Sequence, residues 1–249
     1  MGKGDGSGLD DFWVVVTCMG RLAFVKQTLP TVIADAAVRY CLVDFSCPDH
    51  AGDWLEAAHA ERLQAGAMTV ARVQGQQFFH KTAALNAGAR AALARGARTL
   101  CFADADTAFV AGAFADMGAR LTPGAFLLSE RGPDGASIPS LTGLLVLAAR
   151  DFERAGGYDE AFADWGSEDI EMRLRLHLRW GLAPRAIPAR LVRPLAHGDW
   201  LRTRFHRERD LRKSAARNEA MLRARLVDWT GQPIENLSQT ARSLLFARL

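Results

Sequence analysis

Two aspartates separated by one small residue, Asp104-Ala105-Asp106, follow directly on the apolar run Thr-Leu-Cys-Phe-Ala at 99–103. Carboxylates just past the carboxyl end of a buried strand stand where open α/β sheets bind ligands. A pair of them can hold a divalent cation against a diphosphate. A second acidic group follows: Gly156-Gly157-Tyr158-Asp159-Glu160, then Trp165-Gly166-Ser167-Glu168-Asp169. A carboxylate in such a place can act as a general base. Glu168 and Asp169 can equally cap the helix that follows, whose backbone dipole favours negative charge at its start.

The elements that must position these groups are legible in outline. Runs at 12–17, 40–45, 68–73 and 99–103 are rich in β-branched, aromatic and apolar residues and read as strands. Between them, 22–37, 54–65 and 81–95 read as helices, the last closed by Gly96. Alternating strands and helices imply a mostly parallel central sheet flanked by helices, an α/β architecture with its ligand-facing loops on one edge. Thr17, Arg21, Asp44, Ser46, Lys81, Asn86 and the Asp-Ala-Asp triplet fall at that edge. In the second half, 126–129 and 144–148 are strand candidates joined by a turn-rich loop at 130–139. At 170–178, apolar and charged residues alternate with the period of a strand. The preponderance of Leu, Met, Glu and Arg nevertheless predicts a helix. A second helix is expected over the Arg-rich stretch 202–225.

Composition sets further bounds. The 249 residues, 49% of them hydrophobic, suffice for one sizeable core, and a net charge of +3 from 31 basic and 28 acidic side chains shows no global bias toward nucleic acid. Cys18, Cys41, Cys47 and Cys101 have no C-x-x-C spacing and read as reduced, mostly buried thiols. No apolar stretch is long enough to span a bilayer, and the Gly-rich residues 1–10 lack the apolar core of a signal peptide. A cytoplasmic protein is expected.

The landmarks in their order resemble the nucleotide-sugar-dependent glycosyltransferases of the GT-A fold, in particular glycosyltransferase family 2 and the related galactosyltransferase C-terminal domains. They are Thr17 and Arg21, Val43-Asp44-Phe45-Ser46, the stretch KTAALNAG at 81–88, the Asp-Ala-Asp triplet, Gly143, and the Gly-Gly-Tyr-Asp-Glu and Trp-Gly-Ser-Glu-Asp motifs. The resemblance implies a GT-A domain over 11–200, divided into a nucleotide-binding half (11–107) and an acceptor and catalytic half (108–200). A disordered tail at 1–10 would precede it and a helical extension at 201–249 would follow.

It further implies that Thr17, Arg21, Asp44, Lys81, Asn86, Asp104, Ala105, Asp106, Gly143 and Gly157 line the donor pocket. Asp44 would accept from a uracil imide, and Gly157 would let the backbone approach the sugar. Asp44 and Ser46 can also be turn caps, and Arg21 and Lys81 solvated helix residues. By resemblance, Mn²⁺ or Mg²⁺ would be bound directly by Asp106, with Asp104 reaching the ribose or a metal-bound water and His197 completing the set; His206 is the competing histidine. Asp169 would be the base of an inverting transfer, and Glu168, Trp165 and Gly166 would meet the acceptor, a carbohydrate, lipid-linked or other hydroxyl. A UDP-sugar is the expected donor. The alternatives are a sugar-phosphate nucleotidyltransferase and a non-catalytic nucleotide- or glycan-binding module. The Arg-rich stretch after 201 reads as a solvated face, a clamp over the diphosphate, or a peripheral contact with a membrane surface.

Overall fold

The computed structural model describes residues 11–130, 141–198 and 200–245. The expected tail at 1–10 and nearly all of the turn-rich loop at 130–139 lie outside them. The chain begins β1 (Phe12–Cys18), α1 (Leu22–Ile33), β2 (Val38–Phe45), α2 (Ala51–Ala58), α3 (Ala60–Gln64), β3 (Met68–Val73), α4 (Lys81–Leu93) and β4 (Thr99–Ala103). Next come β5 (Thr107–Phe109), α5 (Ala113–Arg120), β6 (Ala125–Ser129), β7 (Leu145–Ala148) and α6 (Ala149–Ala155). The remainder is α7 (Glu168–Leu178), β8 (Ala183–Ile187), β9 (Val192–Pro194), α8 (Trp200–Thr203), α9 (Leu211–Thr230) and α10 (Gln239–Leu244).

Seven strands form one sheet in the order β3-β2-β1-β4-β7-β6-β8. The first four are mutually parallel; β7 runs antiparallel to both β4 and β6, and β8 is parallel to β6. This is the expected mostly parallel sheet with helices on both faces. Every residue of β1 is buried, as a central parallel strand covered on two sides requires. Phe12, Val14 and Val16 face a core shared with α1, α2 and α5. Trp13 and Val15 face the opposite core, shared with α4, α6, α7, α9 and α10. The four cysteines are free and buried. Among the described residues, no helix is long and apolar enough to cross a membrane.

Three helices differ from expectation. α1 ends at Ile33 rather than 37, because Asp35 makes a local turn in which its carboxylate accepts from Ala37 N at 3.0 Å. The helix expected over 54–65 breaks into α2 and α3 at His59, whose φ of −134° is non-helical. The single helix expected over 202–225 is interrupted. Asp210 accepts from the backbone N–H groups of Arg212 and Lys213 and so starts α9 afresh at Leu211. Nor is the segment after 201 an appendage: Leu222, Leu226, Ala241 and Leu244 belong to the same core as β1.

α7 is helical despite its alternating pattern. All of its residues from Glu168 to Leu176 are buried, so polar side chains occupy buried positions and blur the usual stripe. Two of them satisfy each other: Arg175 pairs with Glu171 at 2.6 Å and donates to the Gly157 carbonyl at the same distance. The short pair β5–β9, antiparallel with Thr107 opposite Pro194, is the feature the periodicity did not anticipate in full. It brings the chain after 194 back to the Asp-Ala-Asp turn, where Leu195 N donates to the Asp106 carbonyl at 2.8 Å.

α4 approaches the sheet closely at Gly88, where an added Cβ would lie 2.6 Å from Val43 Cγ2 and closer still to Val15 Cγ1. Alanine there gains about 1 kcal/mol of helix propensity but overpacks the core at a typical cost of about 1–3 kcal/mol. Gly88→Ala should therefore lower the urea midpoint of unfolding, and adding Val15→Ala should recover part of the loss. A Gly88→Ala protein as stable as wild type would show that α4 can shift away from the sheet.

Candidate functional site

A cavity of about 580 Å³ opens at the carboxyl ends of β1 and β4. Both acidic groups reach it: Asp104 and Asp106 from the turn after β4, Glu168 and Asp169 as the first two residues of α7. Thr17, Arg21, Lys81, Ala105, Gly143, Trp165, Gly166 and His197 also line it. The structure thus brings most of the sequence-predicted site residues together.

Lys81, the first residue of α4, sits among the carboxylates. Its Nζ is 3.3 Å from Asp104 Oδ1, 3.2 Å from Glu168 Oε1 and 3.1 Å from Asp169 Oδ2. Burial pushes the Lys81 ammonium toward deprotonation, but Asp104, Asp169 and Glu168 outweigh it and hold its pKa well above the ordinary lysine value. Burial also raises Asp104, yet Lys81 and then Arg21 bring its pKa below the usual carboxylate range. Asp169 is pushed up to about 7, chiefly by burial, with Glu168 and Asp104 adding to the rise and Lys81 and Arg173 opposing it. Asp169 Oδ1 is buried without a hydrogen-bond partner. Neither carboxylate caps α7, since its N-cap residue is Ser167 and the cap has no side-chain hydrogen bond.

On the other side of the Asp-Ala-Asp turn, His197 Nε2 lies 2.6 Å from Asp106 Oδ2. His197 Nδ1 is 3.2 Å from the Gly198 carbonyl, and the approach of Nε2 to the carboxylate has the length of a charge-assisted hydrogen bond. A ring nitrogen and a carboxylate oxygen this close share a proton, or a cation that takes its place. Asp106 Oδ1 is also buried and unpartnered, and burial followed by the neighbouring Asp104 raises the Asp106 pKa. These two side chains therefore fit a divalent cation. Among the described residues no group of three or more His, Cys, Asp or Glu is arranged around a metal position, and Asp104 is turned to Lys81 instead of joining Asp106 and His197. Mg²⁺-type sites are commonly built this way, with one or two protein ligands and the rest from phosphate and water. The competing histidine, His206, is buried and stacks on Phe79 with ring centroids 6.2 Å apart.

Several sequence-predicted residues serve other ends. Asp44 accepts from Cys47 N at 2.8 Å and Gly52 N at 2.7 Å, with Arg72 at 3.6 Å. It is a turn cap and does not line the cavity, and Ser46 likewise bonds Val73 and Gln76. Asn86 donates to the Tyr158 carbonyl and to Glu160 and accepts from Tyr158 N, so it ties α4 to the 156–160 turn. Gly157, with φ of +75°, is needed because a Cβ would lie 2.7 Å from Asn86 Oδ1. Asn86 and Gly157 line a different hollow of about 740 Å³ behind that turn, where the charges are already paired as Glu171–Arg175 and Asp159–Arg225. Gly143, in contrast, makes room for Asp104, against whose carboxylate any side chain would collide.

The loop carrying Trp165 and Gly166 is held from α9 by residues the sequence reading did not single out. Ser214 Oγ accepts from Trp165 N at 2.9 Å and donates to the Trp165 carbonyl at 2.8 Å. Asn218, one turn on and fully buried, donates to the Ala163 and Gly166 carbonyls. The signal was present: Ser214, Asn218, Leu222 and Leu226 are the buried residues of α9 and recur every fourth position along an otherwise charged helix. Asp164 and Ser167, both with positive φ, flank the loop, and Asp164 is fixed by Arg207 N and Arg217. Met19, Phe79, Leu201, Arg202, Phe205 and His206 also line the cavity, and Arg21 reaches the Leu201 carbonyl at 3.3 Å.

Comparison with known proteins agrees with this architecture. Residues 132–193 match a family model described as the N-terminal domain of galactosyltransferase. A stretch of 31 residues is 61% identical to validoxylamine A glucosyltransferase of Streptomyces hygroscopicus subsp. jinggangensis (strain 5008), and equally so to that of subsp. limoneus. It covers 12% of this chain and 7% of those relatives, so the chain spans only a small part of their length. The crystal structure of S. aureus TarS superimposes on 67% of this chain and 33% of its own, with a TM-score of 0.51 and 14% sequence identity. The fold is that of the GT-A-type glycosyltransferases, and the segment bearing the Gly-Gly and Glu-Asp motifs matches a galactosyltransferase-type domain.

Proposed function

We propose that this chain is a metal-dependent, inverting glycosyltransferase that moves a sugar from a nucleotide diphosphate sugar, UDP being the expected nucleotide, to a hydroxyl acceptor. The observation that carries the reading is the convergence of the Asp106–His197 pair and the Glu168–Asp169 pair in one cavity. Asp106 and His197 would hold Mn²⁺ or Mg²⁺, which when bound neutralises charge on the diphosphate as it leaves. Asp169 Oδ1, buried and unpartnered, would take the acceptor hydroxyl proton as the acceptor oxygen bonds to the anomeric carbon. The bond from that carbon to the diphosphate oxygen breaks on the opposite face, and its electron pair leaves with the nucleotide. Glu168 would orient the hydroxyls, and Trp165, half-buried at the rim, offers a flat face to the acceptor. Thr17 and Arg21 belong to the nucleotide side, whereas Asp44 and Asn86 act in the scaffold. A panel of nucleotide sugars with Mn²⁺, read by released nucleoside diphosphate, tests the reading; no release from any donor overturns it.

The metal assignment makes a separate prediction. Calorimetric titration with UDP should show that Mn²⁺ tightens binding to the wild type and not to Asp106→Ala, with a smaller loss of that enhancement in His197→Ala. An undiminished metal effect in Asp106→Ala, or a loss in His206→Ala alone, moves the ligand elsewhere.

The base assignment predicts both rate and stability. Asp169→Asn should keep UDP affinity and lower turnover by about 10²- to 10⁴-fold. Wild-type turnover should fall as pH drops through about 7, where Asp169 becomes protonated. Its folded pKa lies above the unfolded one of about 4, so its favourable contribution to folding is present at low pH and lost as pH rises through 7. Asp169→Asn should accordingly raise the Tm at about pH 8 and leave it unchanged near pH 4. Near-normal turnover in that variant would shift the role to Glu168.

A further inference from the structure

We propose that Lys81 is the positioning residue of this site: its ammonium holds Asp169 by one oxygen so that the other faces the acceptor, and it does not serve as a nucleotide ligand. The proposal rests on Asp169 being the base. An ammonium has three protons and no acceptor capacity. Here the three nearest oxygens come from three different carboxylates, Asp104, Glu168 and Asp169, at 3.1–3.3 Å, so no donor is left for a phosphate. The contact to Asp169 is made through Oδ2, and Oδ1 is the oxygen left buried and unpartnered. The two oxygens of the base are thereby made unequal before any substrate arrives.

The scaffold supports a fixed lysine. His80 caps α4 by accepting from Ala83 N, Thr82 Oγ1 donates to the Phe162 carbonyl at 3.2 Å, and Asn86 is bonded twice to the Tyr158 backbone. The start of α4 is thus tied to the loop that leads into α7, and Lys81 crosses the remaining gap. The charged and titratable groups acting on Asp169 come from each neighbouring element: Lys81 from α4, Asp104 from the turn after β4, and Glu168 and Arg173 from α7 itself. Tyr158 adds a buried hydroxyl without a hydrogen-bond partner. Arg173 donates to the Thr142 carbonyl and adds a second positive charge acting on Asp169, while Lys81 Nζ is in hydrogen-bond contact with it at 3.1 Å. Loss of Lys81 should remove the stronger of the two positive charges acting on the base and disfavour the ionised form that accepts a proton.

The test uses the full chain, with UDP-glucose and UDP-N-acetylglucosamine as donors, water as acceptor and Mn²⁺ present, and reads released UDP between about pH 5 and pH 10. Lys81→Met should keep UDP affinity within about threefold while moving the acid limb of the rate profile up by about 1 to 3 pH units, the usual worth of an opposite charge at this distance. Turnover lost at neutral pH should return in part at high pH, and Lys81→Arg should keep the limb close to wild type. A uniformly lowered rate with an unmoved limb would make Lys81 merely structural, and a parallel loss of UDP affinity would make it a nucleotide ligand. Either result overturns the proposal. Carboxyl ¹³C NMR, with the Asp169 signal assigned by its loss in Asp169→Asn, reads the same titration without turnover. If the wild type releases UDP from neither donor, the reaction reading is in question for those donors while the NMR still decides Lys81. An Asp169 titration identical in wild type and Lys81→Met refutes the positioning role.

Discussion

Three carboxylates, Glu168 and Asp169 buried and Asp104 half-buried, around the half-buried ammonium of Lys81 form the constraint on which the rest of this structure turns. Gathering like charges out of water is costly unless each is paired, and here one lysine is shared three ways. Burial leaves Asp169 short of full ionisation at neutral pH, while Asp104, held down by Arg21 as well as Lys81, remains charged. The same arrangement separates a carboxylate suited to a cationic partner from one suited to accept a proton. The fold must hold this unfavourable cluster together by contacts made elsewhere.

Those contacts lie in the second half of the chain. α9 grips the loop before α7 through Ser214 and Asn218, two buried polar side chains that donate to its backbone carbonyls, Ser214 also accepting from the Trp165 N–H. This accounts for the positive φ at Asp164 and Ser167: strained backbone persists when its surroundings over-determine it, and Asp164 is bonded to the segment before α9. On the opposite wall, pairing of β9 with β5 fixes where His197 emerges, and the Leu195–Asp106 backbone bond sets it against the second aspartate. The helices after residue 200 are therefore part of the site's construction.

Buried glycines show where side chains of the site needed room. Gly143 yields space to Asp104, and Gly157 yields it to Asn86, so both answer to a particular polar neighbour. Gly88 answers instead to the sheet, letting α4 settle close enough for Lys81 to reach across its carboxyl edge. Stability and reactivity pull in opposite directions at Asp169, because its neutral form is the one the folded interior prefers.

The amino-acid sequence by itself determined the parallel βα half, because Val, Phe and Leu runs bounded by turn residues report strand burial directly. It also located the Asp-Ala-Asp turn at a strand end, and composition outweighed periodicity in making α7 a helix. What it could not decide was which polar residues face the cavity. Asp44, Asn86 and Gly157 stand at plausible places along the chain, yet local bonds hold Asp44 to the backbone of the turn that follows it, and tertiary contacts place the other two in a brace between α4 and the 156–160 loop. The choice of His197 over His206 beside Asp106 depended on the β5–β9 register, and the hold on Trp165 depended on the packing of α9. Local patterns record how deeply a residue is buried and in which element. The partner it meets there is set by strand register and helix packing between segments far apart in the chain, which no short stretch of sequence contains.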